Sequence, residues 1–197
     1  MTAKEFQTFW RSSYPDAVPI GHHFKHSYSH RWFRIHSLPD SRRYPSDQED
    51  WEILLTRQNT ILTDFFADGS VIAIVTGDFH YEGYTELHPI NNVESIESFV
   101  FTRLEAIDLH LYDEENYEKG TTYIPMFTEQ IWCPHRFDEL LRDIAEGNLA
   151  AFFVSISNNC IVAPYDGGMD IIMKDSLTRD LCKEQYREWL SFREDGL

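Results

Sequence analysis

Between Leu149 and Met173 three apolar runs follow one another with only turn residues between them, and this pattern commits the segment to a sheet. Leu149 to Ile156 is nearly continuous, Asn158-Asn159 is a turn pair, Cys160 to Ala163 returns, and Met169 to Met173 follows the bend from Pro164 to Gly168. Two strands therefore deliver Tyr165 and Asp166 to a rim. Gly167 and Gly168 supply either a positive φ or a close backbone approach, and Asp166 and Asp170 place carboxylates on both sides of the bend. The sequence predicts a positive φ at one of these glycines at least.

Upstream, helical and extended signals alternate. Thr2 and Glu5 have capping-box spacing before Phe6, Phe9 and Trp10, which predicts a helix over 3–12. Trp32, Phe33 and Ile35 alternate with charged residues as a strand does. Ser46 and Glu49 repeat the capping box, and Trp51, Leu54, Leu55, Gln58, Ile61, Leu62 and Phe65 predict a helix ending near Asp68-Gly69. Val71 to Val75 then completes a βαβ unit with parallel neighbouring strands. From Gly77 to Ser98 the periodicity is weak. Phe99 to Leu111 and Thr121 to Trp132 read as an antiparallel hairpin, Phe137 to Ile144 as a helix closed by Gly147, and Leu177, Leu181, Trp189 and Leu190 as a C-terminal amphipathic helix. The expected fold is α+β, or mixed α/β. It is one globular domain over 1–197, with a mixed sheet, one βαβ unit, a hairpin and packed helices.

The chain has 197 residues, 42% of them hydrophobic, which is enough for one sizeable core. A net charge of -16 disfavours a phosphate-backbone partner, so no nucleic acid is expected. Thirteen carboxylates stand between Asp64 and Lys119 against Arg103 and Lys119 alone, which predicts an exposed acidic surface there. Cys133, Cys160 and Cys182 are odd in number and form no CxxC, so neither a disulfide framework nor a cysteine-based zinc site is expected. The start carries no apolar leader and no run reaches membrane-spanning length, which makes the cytoplasm the default address and excludes a membrane partner.

The stretch 31–44, Arg-Trp-Phe-Arg-Ile-His-Ser-Leu-Pro-Asp-Ser-Arg-Arg-Tyr, and 163–172, Ala-Pro-Tyr-Asp-Gly-Gly-Met-Asp-Ile-Ile, resemble a bacterial family known as a domain of unknown function. Arg57-Gln58-Asn59-Thr60 and Pro134-His135-Arg136-Phe137 share in the resemblance, which touches most of the chain. It implies a bacterial origin and a single domain, and no catalytic residue.

Candidate chemistry is confined to three groups. His22, His23, His26 and His30 crowd one stretch, and on a helix His26 and His30 would share a face as two metal ligands do. Pro19, Gly21 and Trp32-Phe33 argue against a continuous helix, and no metal or other cofactor is expected. Arg31, Arg34, Arg42 and Arg43 form the basic concentration of an acidic chain, able to take a carboxylate or phosphate, or to pair internally with Asp40, Asp47, Asp50 or the carboxylates near the glycine turn. Tyr165, Asp166, Gly167, Gly168 and Asp170 form either a polar pocket or a purely structural turn. No Walker loop, Gly-x-Ser-x-Gly or His-Glu-x-x-His occurs. The reading is a non-catalytic, acidic protein-binding module, immunity- or antitoxin-like, with a basic protein partner. The alternative is an enzyme or small-ligand binder with its site between Arg42-Arg43 and Tyr165-Asp166-Gly167-Gly168, and a pocket containing both segments would favour it.

Overall fold

The computed structural model describes residues 1–82, 93–191 and 193. Gly83, Pro89 and Asn91-Asn92, part of the weakly periodic excursion, and Glu86 of the acidic segment lie outside the described residues. The strands are β1 (Trp32–His36), β2 (Val71–His80), β3 (Thr102–Arg103), β4 (Ile107–Asp108), β5 (Thr122–Ile131), β6 (Phe152–Ser155), β7 (Cys160–Tyr165) and β8 (Gly168–Ile172). They form one sheet in the order β1-β8-β7-β6-β2-β5-β3, with β4 also on β5, and each pairing is antiparallel. The helices are α1 (Ala3–Ser13), α2 (Phe24–Ser27), α3 (Gln48–Phe66), α4 (Leu109–Tyr112), α5 (Asp138–Ala145) and α6 (Ser176–Gln185).

Strand periodicity divides the core in two. Phe33, Ile35, Ile72, Ile74, Phe153, Val162, Met169 and Ile171 face α3, α5 and α6. Ala73, Val75, Phe152, Val154, Ile161, Ala163 and Ile172 face α1 and α2. A sheet covered on both faces needs apolar residues at successive positions, which is why the β6, β7 and β8 segments read as runs rather than alternations. On the second face Phe6 stacks on Phe127 at 4.5 Å between ring centroids, and the Trp10 indole N–H donates to the Ala17 carbonyl at 2.8 Å. Burial of each such aromatic contributes about 1.5–3 kcal/mol.

Several expectations change. β1 and β2 run in the same direction and α3 joins them, but three strands, β8, β7 and β6, lie between them, so they are not neighbours. The hairpin onto β5 exists with a broken outer strand. Arg103 pairs with Met126 and Ile107 with Tyr123, so the outer segment holds one residue more than β5 between the two pairs. Pro125 sits at the break. Its carbonyl accepts from Leu104 N–H on that side, where a proline has no N–H to return. Leu109 and Leu111, expected in strand, turn into α4, capped by the Asp108 carboxylate, and Leu111 is exposed. On α6, Leu177 and Leu181 point to solvent while Cys182 and Tyr186 are buried, so the helix buries the face opposite to the one its leucines suggest. The N-cap of α3 is Asp47 rather than Ser46.

The four stretches that carry the family resemblance are tied together. The Arg57 guanidinium donates to the His36 carbonyl at 3.0 Å, and the buried Gln58 amide donates to Ser37 Oγ at 3.0 Å. Asn59 Oδ1 accepts from the His135 backbone N–H at 2.7 Å, and Ser37 N–H donates to the Gly167 carbonyl at 3.3 Å. Helix α3 thus anchors the end of β1, which in turn grips the β7–β8 turn.

Candidate functional site

Arg34 of β1 and Asp170 of β8 are direct cross-strand partners. Both point to the face that α1 and α2 cover. The guanidinium donates from Nε and Nη2 to the two carboxylate oxygens at 2.7 and 2.9 Å, and the side chains are only 13% and 7% exposed. The end of β7 brings Tyr165 to the same face, where the Arg34 guanidinium lies 4.8 Å from its ring centroid. Burial pushes the Tyr165 phenol above its ordinary range, so it is a neutral hydroxyl.

Tyr165 pairs with Gly168, leaving Asp166 and Gly167 as a two-residue turn; Pro164 and Tyr165 belong to β7, and Gly168 and Asp170 to β8. Neither glycine takes a positive φ, contrary to expectation; among the described residues the glycines that do are Gly69, Gly120 and Gly147. The requirement at Gly168 is space. A Cβ there would lie 2.1 Å from the Ile35 carbonyl oxygen and 3.1 Å from the Tyr165 hydroxyl.

The arginine pair divides. Asp40 and Ser41 hold left-handed backbone angles, φ 56 and 55°, and the extended residue Arg42 follows. Arg42 turns to Asp50 in the first turn of α3, with a two-pronged contact at 2.7 and 2.5 Å, while Ser46 N–H and Oγ donate to the same carboxylate. These contacts hold the Asp50 carboxyl well below the usual carboxylate range. Arg42 therefore belongs to the start of α3. Arg43 turns the other way and meets Asp166 at 2.8 Å. Arg31 donates to the Ser13 carbonyl and lies over the Tyr14 and Tyr28 rings.

Arg43, Tyr165, Asp166, Asp170 and Arg34 border one cavity of about 450 Å³. Its remaining walls include His22 and Lys25, Gly77 and Phe79 of β2, Tyr123 of β5, and Leu149 to Phe152 leading into β6. Gly77 has no room for a side chain, because a Cβ would lie 2.4 Å from the Tyr123 ring. The volume falls in the range of small-molecule sites, and the mixture of apolar walls with a few convergent polar groups is their usual chemistry. Lys25, Gly77 and Tyr123 are not legible as site residues in the sequence, and His22, read there with His23, His26 and His30 as a possible metal ligand, borders the cavity instead. Lys25 arrives only because α2 packs on β1 and β8.

The histidines do not assemble as metal ligands: among the described residues no three His, Cys, Asp or Glu side chains come together. Instead His22 and His23 lie 4.4 Å apart and both share the Tyr117 hydroxyl, at 3.2 and 2.9 Å. Burial first, then the neighbouring His22, pushes His23 down from 6.5 to about 4. The folded value lies below the unfolded one, so the stability this residue contributes is complete above its unfolded value and is lost as pH falls toward the folded one. The urea midpoint should therefore drop between roughly pH 6.5 and 4, and His23→Gln should flatten that slope. An unchanged slope in the variant would assign the acid sensitivity to other groups.

Residues 20–194 match the model of a family described as a domain of unknown function, DUF3885. Every described residue bordering the cavity lies inside the matched span, and α1 lies outside it. No curated protein and no solved structure matches the chain.

Proposed function

We propose that this chain, which belongs to the DUF3885 family, binds a small molecule in the cavity between the Arg43 loop and the Tyr165–Gly168 turn. The observation that carries this reading is the convergence of the two segments on one enclosure, since a ligand site needs groups from distant parts of the chain and a structural turn does not. Binding without catalysis is the role the arrangement favours. Asp170 is held by both prongs of the buried Arg34 guanidinium, an arrangement that does not leave it as an uncommitted general base.

A fragment screen read by amide chemical shifts tests it. Hits should move Tyr165, Asp166, Asp170 and Phe152 together, and Tyr165→Ala should weaken them. A screen whose hits cluster on another surface, or that yields none, would sink the reading.

A second reading rests on a different observation. Of the acidic residues from Asp64 to Glu118 that are described, Asp78 is buried, Asp113 is intermediate and the other ten are exposed. Such a surface suits a basic protein partner of the immunity or antitoxin kind, with association steered by charge. A complex of that kind would weaken steeply as salt rises.

A further inference from the structure

We infer that the ligand of this cavity is an amphiphilic anion, an oxyanion head carried on an apolar body. The inference rests on the binding reading above and adds the chemical class.

The sheet sorts the cavity by strand order. At the β1 and β8 end stand Arg34, Asp170 and, in the adjoining turn, Asp166, with Arg43 and Lys25 lining the same enclosure. Toward the β6 and β2 end stand Phe152, Gly77 and Phe79, with Leu149 to Ala151 leading in. One half is charged and the other apolar, so the complementary ligand is charged at one end only.

The sign follows from the pairing. Asp166 and Asp170 are matched by Arg43 and Arg34, whereas Lys25 has no carboxylate within 4.0 Å among the described residues. Among the described residues the charged end therefore holds three cations, Arg34, Arg43 and Lys25, against the two carboxylates Asp166 and Asp170, in a chain whose net charge is -16.

A second donor can be released to the ligand. The Arg34–Asp170 fork is buried and two-pronged, and it stays. The Arg43–Asp166 contact is single, and the Arg43 side chain is 63% exposed. An exposed ion pair of that kind contributes little, so an incoming oxyanion displaces Asp166 from Arg43 at small cost and is held between Arg43 and Lys25. Carboxylates and phosphate monoesters share this chemistry.

Calorimetric titration of the full chain with octanoate, octyl phosphate, octanol and octylammonium, each below its aggregation range, tests the assignment. One or both anions should saturate, the tighter identifying the head group, with octanol and octylammonium weaker by roughly tenfold or more, the loss expected for one charge-assisted hydrogen bond. Acetate and inorganic phosphate, heads without bodies, should also bind more weakly. Lys25→Met should cost roughly tenfold in anion affinity without moving the Tm, and Lys25→Glu should transfer the preference to octylammonium. Equal binding of octanol or octylammonium, or indifference to Lys25→Met, overturns the anionic head and leaves the cavity as a binding site. Tight binding of inorganic phosphate or acetate alone overturns the apolar body. Silence of all the probes overturns the amphiphile, and if the fragment screen is silent too, the binding reading falls with it.

Discussion

Gly168→Ala should lose about 3 kcal/mol or more of stability, because a methyl group has nowhere to go. The obstacle, the Ile35 carbonyl oxygen 2.1 Å from the position of a Cβ, is backbone, and it sits in β1 where β8 is paired to it. A flexible side chain would swing aside; a paired strand cannot without opening the sheet edge. Gly69→Ala is the internal comparison. It has a left-handed backbone, φ +77°, but open space around it, so its cost is strain alone, roughly 1 kcal/mol. Urea denaturation of the two variants separates crowding from strain. A Gly168→Ala midpoint equal to that of wild type would mean that the turn and β1 are not held together as described.

Asp170→Ala should be comparably damaging, at about 3–5 kcal/mol, since it leaves the Arg34 guanidinium without its two-pronged carboxylate in a site only 13% exposed. The informative variant is the double one. Arg34→Met with Asp170→Leu removes both charges together and keeps side-chain volume near Tyr165. It should return to within about 1 kcal/mol of wild type, because replacing a buried ion pair by apolar residues is often nearly neutral. If the double variant is as unstable as Asp170→Ala, the pair supports the fold by more than mutual neutralisation. Equilibrium unfolding of the three variants decides this.

What the sequence made legible, and what it hid, follows distance along the chain. The β6 to β8 segments are legible because both their faces are buried and only short turns separate them. The partner of β8 is not, because Arg34 and Asp170 are 136 residues apart and no local pattern announces that pairing. The same separation made β1 and β2 look like neighbours when three strands fill the gap. For Gly168 the sequence offered both a positive φ and a close backbone approach, and the close approach is the one found. A glycine is needed equally for an unusual dihedral or for a close approach, and only the position of the Ile35 carbonyl tells them apart.

The site follows the same rule. Arg42 and Arg43 read as one basic pair, but neighbours in extended backbone point to opposite sides, so only Arg43 reaches the cavity while Arg42 reaches Asp50. Tyr165, Asp166 and Asp170 were visible as polar residues in excess of what a turn needs. Lys25 was invisible, since its relevance depends on where a short helix of one turn lands on the sheet.

The order of the strands also governs when the sheet can exist. Strands β1 and β2 lie in the first 80 residues and are joined directly by α3, yet they do not pair with each other; the three strands that bridge them are contributed by residues 152–172. During synthesis on a ribosome the early half of the chain emerges with its two strands and connecting helix ready but with no mutual contact to close. Their facing edges have no partner strand until β6, β7 and β8 fill the space between them. The strands that join the two halves of the sheet are therefore the last to be made, and until they pair, the facing edges of β1 and β2 are open to pairing with another chain.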